Sequence, residues 1–176
     1  ADAREMLAIA EAHGANLGMC FPCRFSESLQ QAKHWIENGV LGEIIAVNAT
    51  NHGTMPGGWF ADPALSGGGA IMDHTVHVVD ALRWLFDGEF VRVYAQASTR
   101  LHSLSVEDVA VLSLEMSNGL FVTLDSSWSR PSLSFPIWGD VKLAVVGTSG
   151  ILNLNLFPWT LSHYSEQAAK QVAISH

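Results

Sequence analysis

Cysteine is nearly absent from this 176-residue chain, which has only two. Two thiols cannot build a disulfide framework, so a reducing compartment, the cytoplasm, is the expected address. Positive charge is scarce too: nine Lys and Arg stand against 17 Asp and Glu, a net charge of −8. Binding a phosphate backbone needs clustered Lys and Arg; they are scattered, which excludes a nucleic-acid partner. No apolar run approaches the ~20 residues that span a bilayer, so no membrane-spanning partner surface is expected. The opening stretch, ADAREMLAIAEAHG, carries charges inside its apolar pattern and no cleavage signature, so it reads as a helix rather than a secretion signal. Charge of either sign is thin, 15% of residues against 48% hydrophobic. So sparse a charged surface points to a face covered in an oligomer or by a neighbour.

What is present divides into two patterns. Over the first half, apolar residues recur at helical spacing from Asp2 to Gly14, from about Ser26 to Asn38, and again up to about Phe86. ANLGMCF reads as a short buried strand and EIIAVNATN as another. The Gly- and Pro-rich stretch NHGTMPGGWFADPALSGGG reads as a loop. From Glu89 the period becomes two. FVRVYAQAS, VEDVAVLSLEM, GLFVTLDSSWS, VKLAVVG and GILNLNLF are successive strand candidates, with hairpin signals at Ser117-Asn118-Gly119 and Thr148-Ser149-Gly150. The fold class expected is α/β (α+β), an open and mostly antiparallel sheet with helices packed on one face. One strand face is apolar (Val91, Val93, Ala95, Ala97). The other mixes aromatic and polar residues (Phe90, Arg92, Tyr94, Gln96, Phe121, Thr123, Asp125), which suits either an oligomer interface or a solvated surface. The strand at 15–21 has no sheet of its own and must pair with strands this sequence does not contain.

The chemistry concentrates in GGGAIMDHTVHVVD, residues 67–80. Asp73 and His77 are four apart, one above the other on a helix. The glycines let backbone approach a ligand and leave first-turn N–H groups free. Histidine titrates near neutral pH, so His77 can take a proton from a hydroxyl and return it. Asp73 can orient the imidazole or hold the same hydroxyl, and Asp80 can accept from the ring's other nitrogen. The alternative is a buried Asp–His pair that only ties helix to sheet. A metal site would recruit Asp73, His77 and His52, but His74 projects about 100° from Asp73 on an α-helix, no HExxH occurs, and no metal is expected. Cys20 and Cys23 form a CxxC with no second pair, and both read as inert and buried. Arg24, just after the strand, and Trp59 in the glycine loop have each a pocket reading and a structural one.

These segments in order (GMCFPCRF, NGVLGEIIAV, WFADPALSGGGAIMDHTVHVVDALRWLF, VVGTSGILNL) resemble the glucose–fructose oxidoreductase and inositol dehydrogenase (Gfo/Idh/MocA) family over nearly the whole chain. Their most specific element is G-G-G-x3-D-x3-H-x2-D at 67–80. The resemblance implies an NAD(P)-dependent oxidoreductase in which a Rossmann domain precedes an α/β domain whose open sheet face makes a homodimer or homotetramer. It places Asp73 and His77 on the substrate side as catalytic residues and Arg24 near cofactor and substrate; the reading of the residues adds Asp80 as support for the His77 ring and His52 and Trp59 as substrate-contact candidates. Residues 1–24 then look like the tail of the Rossmann domain, a helix and its last strand, and 25–176 like the substrate and oligomerisation domain. The family's G-x-G-x-x-[GA] turn and its Glu-Lys-Pro segment do not occur in the chain, nor does a closing segment beyond His176. NAD or NADP is therefore expected in the intact protein and none on this chain alone, which should be inactive by itself. The expected substrate is a sugar, polyol or similar small hydroxylated molecule. A non-catalytic oligomerising sheet and a metal-dependent hydrolase or isomerase are the rival readings.

Overall fold

The computed structural model describes residues 2–135, 139–156, 160–164 and 169–173. Helix α1 (Asp2–Ala12) is followed by irregular chain, a 3-10 turn at Pro22–Phe25 and helix α2 (Glu27–Glu37). Strand β1 (Ile44–Gly53) leads to a 3-10 turn at Gly58–Ala61, the short helix α3 (Pro63–Ser66), a π-helical turn (Ile71–Thr75) and helix α4 (Val76–Phe86). Strands β2 (Phe90–Ser98), β3 (Val109–Met116), β4 (Phe121–Ser127), β5 (Gly139–Gly147), β6 (Ile151–Asn155), β7 (Thr160–Tyr164) and β8 (Ala169–Ala173) complete the chain.

All eight strands join one open sheet in the order β2-β3-β4-β1-β5-β6-β7-β8. Every neighbouring pair is antiparallel except β1 with β4. This is the mostly antiparallel α/β sheet expected from the period-two strands, and both predicted hairpins occur, between β3 and β4 and between β5 and β6. Gly119 takes the left-handed conformation the first of them needs, at φ 85°.

Alternation along the strands sends one face to the helices. Val47, Ala49, Leu112, Leu114, Val122, Leu124, Leu143, Val145 and Leu152 form that face with α2 (Leu29, Ala32) and α4 (Val78, Ala81, Leu82, Leu85), all buried. Each such leucine or valine contributes about 1.5–3 kcal/mol by leaving water. Ser26 caps α2 by accepting from Leu29 N.

Three expectations are corrected: the strand at 15–21, the face to which Phe90 belongs and the helix cover of β2. The stretch at 15–21 is irregular and exposed except for half-buried Phe21, not a buried strand, because no partner strand lies beside it among the described residues. Helix α1 forms, yet its apolar side (Met6, Leu7, Ile9) lies exposed. A β-bulge between Phe90 and Arg92 turns Phe90 toward the helix-side core, so it does not share a face with Arg92 and Tyr94. The helices also stop short of β2, where Val93 stays 59% exposed although it shares a face with buried Leu114. Strands β7 and β8 were not foreseen, since TLSHY and AKQVA are short and show no strong apolar alternation. No helix among the described residues is long and apolar enough to cross a membrane.

Candidate active site

The glycine run enters the helix by a close approach to the chain that precedes β3. A Cβ on Gly69 would sit 1.9 Å from the Glu107 carbonyl oxygen, far inside contact distance. Glu107 in turn caps the helix entry: its Oε1 accepts from Gly69 N (2.9 Å) and Ile71 N (3.1 Å), and its carbonyl accepts from Ala70 N (2.9 Å). The sequence suggested that these N–H groups are free for a ligand; Glu107 occupies them. The glycines serve the approach to Glu107 instead. Ala70, Val106 and Trp128 form a small buried cluster beneath this entry, flanked by Met55, Phe60 and Leu104.

The next five residues form a π-helical turn, one residue wider than an α-turn. Within this turn the side chains of neighbours Asp73 and His74 meet: His74 Nε2 lies 3.2 Å from Asp73 Oδ2. The same Oδ2 accepts the indole N–H of Trp128 at 2.9 Å. On its other side His74 Nδ1 meets the Asn51 carbonyl oxygen at 3.0 Å, while the Asn51 side-chain amide donates to the His74 carbonyl at 2.9 Å. Asn51, His74 and Trp128 are all buried. His74, Trp128, Asn51 and Glu107 went unrecognised in the sequence because α-helical geometry turned His74 away from Asp73 and nothing local marks the other three.

Asp73 and His77 do not hydrogen-bond to one another. Nδ1 of His77 is buried with no partner among the described residues, while the residue as a whole is half-buried. Burial holds the His77 imidazole below its usual titration range; His74 adds to this, and the carboxylates of Asp73 and Asp80 oppose it. Burial works to raise the Asp73 carboxyl, but hydrogen bonds from His74 and Trp128 outweigh it and hold the group below the usual carboxylate range. Asp73 keeps 23% of its side chain accessible. It lines a pocket of about 170 Å³ with Trp59, Phe60, Ser66, Gly68, Gly69 and Met72. The Trp59 and Phe60 rings stack at 3.9 Å, Phe60 toward the buried cluster and Trp59 54% exposed.

The other candidates lie elsewhere. Asp80 does not reach the His77 ring: it holds Arg24 through Nε (2.7 Å) and Nη2 (2.5 Å), a two-pronged pair that ties the Pro22–Phe25 turn to α4. Arg24 is thereby a structural partner of Asp80. Cys23, beside it, is buried with its thiol pushed up to about 11 by burial and by Asp80, whereas Cys20 is exposed, contrary to the reading of two buried thiols. His52 belongs to β1 and not to the loop. It follows Asn51, which faces the helices, so His52 projects from the opposite face. There its Nδ1 takes an N–H from Arg130 at 3.1 Å, and Nε2 lies 3.1 Å from Asp125 Oδ2 at an angle too poor to bond. Asp73, His77 and His52 therefore cannot share an ion. Among the described residues no three His, Cys, Asp or Glu side chains converge as a metal site.

The profile of the GFO/IDH/MocA C-terminal domain matches residues 29–153. D-glucoside 3-dehydrogenase of Escherichia coli is 30% identical over 145 residues, covering 72% of this chain and 41% of that protein. An uncharacterised oxidoreductase of Bacillus subtilis, YrbE, is 28% identical over 83% of this chain and 42% of its own length. Among solved structures, aldose-aldose oxidoreductase from Caulobacter crescentus superposes with a TM-score of 0.82 at 23% identity, covering 97% of this chain and 51% of that one. An inositol dehydrogenase homolog from Azotobacter vinelandii, solved with NAD+, gives 0.79 at 19% identity, over 97% and 47%. The chain thus spans about half the length of the proteins it matches.

Proposed function

Because the chain belongs to the Gfo/Idh/MocA family, we propose that it is the substrate-side part of an NAD(P)-dependent oxidoreductase acting on a CH–OH group of a sugar, polyol or similar small molecule. The names of its relatives, D-glucoside 3-dehydrogenase among them, support that substrate class. Residues 1–24 are the tail of a dinucleotide-binding domain in this reading, which accounts for the exposed apolar side of α1 and for exposed Leu17 and Met19. The described residues do not fit the dinucleotide: the only glycine run that opens a helix has its N–H groups taken by Glu107. The cofactor, held outside 25–176, would supply the hydride acceptor.

The observation that carries the reading is the contrast between two neighbouring groups. Asp73 is pinned through Oδ2, leaving Oδ1 for a substrate hydroxyl at the edge of a pocket walled by Trp59. One turn on, His77 is half-buried, which holds its imidazole below the usual titration range, and its ring makes no hydrogen bond among the described residues. A hydroxyl bonded to Asp73 loses its proton to His77 as its carbon is oxidised, and regains it in the reverse direction. The exposed aromatic edge of Trp59 suits the apolar face of a sugar ring. The open sheet face, with Tyr94, Val111 and Phe121 each more than half exposed, would join copies into a dimer or tetramer in the cytoplasm. His77→Ala in the whole protein is expected to leave cofactor binding intact and slow turnover about 10²- to 10⁴-fold. Undiminished steady-state turnover would remove His77 from the mechanism.

A further inference from the structure

The Asp73 carboxylate serves a substrate best when one of its oxygens is reserved, yet rotation about its last side-chain bond interchanges the two. The indole of Trp128 opposes that interchange. Its Nε1–H donates to Oδ2 at 2.9 Å, and the other close contact, His74 Nε2 at 3.2 Å, falls on the same oxygen. An indole nitrogen donates and never accepts, so Trp128 holds Asp73 as an acceptor independently of the neighbouring histidine. Nor can Trp128 drift after a turning carboxylate. Its ring is buried against Ala70 and Val106. Its main-chain N–H donates to the Asp108 carbonyl at 2.9 Å, one step beyond the Val109–Ser127 pair that ends the β3–β4 ladder. Asp108 is buried in turn, its carboxylate accepting the main-chain N–H groups of Arg100 (2.7 Å), Leu101 (2.9 Å) and His102 (2.7 Å). Glu107, next to it, caps the helix entry through Gly69 and Ile71. One corner of the sheet thus grips the start of the helix and, through Trp128, the acid one turn further on.

We propose that Trp128 is a positioning residue, whose indole N–H reserves Oδ2 of Asp73 and so presents Oδ1 to the substrate hydroxyl. The proposal rests on the catalytic reading above and adds to it a residue outside the 67–80 motif. Trp128 is not among the residues that line the pocket beside Asp73, so it acts through the carboxylate. With Oδ2 occupied, a hydroxyl entering the pocket meets one acceptor in a fixed place. A carboxylate free to turn would divide each encounter between two geometries, and misplacement by about an ångström costs up to about 100-fold in rate.

The test is a double-mutant cycle in the whole protein. Trp128→Phe keeps an aromatic ring in the buried cluster and removes the donor. It is expected to lower kcat/KM about 10- to 100-fold in the parent background, and to change nothing further once Asp73→Ala has removed the carboxylate. A Trp128 with a merely structural role would cost the same factor in both backgrounds. That additivity would overturn the proposal, as would an undiminished kcat/KM in Trp128→Phe. Should Trp128→Phe fail to fold, nitrogen–proton NMR of the indole groups reads the same bond. The Trp128 signal is expected to move upfield in Asp73→Ala, and a signal that stays in place overturns the proposal. A crippled Asp73→Ala beside an unimpaired Trp128→Phe leaves the catalytic reading standing without the proposal. A fully active Asp73→Ala removes the catalytic reading and the proposal with it, even where the indole shift shows the bond.

Discussion

Two groups of histidine and carboxylate lie back to back on adjacent residues of one strand. Asn51 faces the helices and holds His74, Asp73 and, through the helix, His77; His52 faces the open side, among Asp125, Asp140 and Arg130. By residue type either could be an acid–base site. Their protons differ. Arginine only donates, so its bond to Nδ1 of His52 leaves the His52 proton on Nε2. Arg130 and Lys142 both bond Asp140, at 2.7 and 3.0 Å, so that carboxylate has no free role. On the helix side no arginine or lysine among the described residues bonds Asp73, and the pocket beside it is open. The lesson is that proximity of acid and imidazole counts for less than which atoms the neighbours leave over.

The largest expected effect is on the helix side. Gly69→Ala would drive a methyl group into the Glu107 carbonyl and unseat the cap of the helix that carries Asp73 and His77, costing about 3 kcal/mol. Chemical denaturation would measure it, and a loss below about 0.5 kcal/mol would show that the entry tolerates a side chain. Next is the open side. Asp140→Asn leaves Arg130 and Lys142 unpaired, but both are partly exposed, so the expected cost is about 2 kcal/mol with turnover preserved. The same carboxyl gives a pH test. Burial works to raise it, yet bonds from Arg130 and Lys142 hold it below its usual range. A depressed carboxylate stabilises fully above its unfolded value, near 3.9; that contribution is lost as pH falls through the folded one. The variant and parent should therefore converge in stability as pH falls below the unfolded value and through the lower folded one; a constant gap would separate the cost from the charge. The smallest effect on stability is at exposed Phe121. Phe121→Asp should change folding by less than about 0.5 kcal/mol while splitting the proposed oligomer in a sedimentation experiment. An unchanged sedimentation coefficient would move the interface off this face.

The sheet was legible because alternation is a direct readout of a face: β3 through β6 emerge where period two occurs, and α2 and α4 where apolar residues recur every turn. The failures have local causes. Residues 15–21 have a strand's composition without a strand's neighbours, and Phe90 changed face through one bulged residue that no composition announces. Asp73 and His77 stood out because two polar groups interrupt an apolar helix. The partners of Asp73 did not, since Trp128 is 55 residues distant and meets it only through the packing of β4 against the helix. Arg24 with Asp80, 56 apart, is the same kind of blindness.

The wide turn at Ile71–Thr75 carries a genetic consequence. It stores one surplus residue, so excising a single codon there would let the coil rewind to ordinary pitch while the helix on either side keeps its seat. What such a deletion removes is the local path that sets Asp73 against Trp128, so the acid loses its anchor although its neighbours along the helix stay in line.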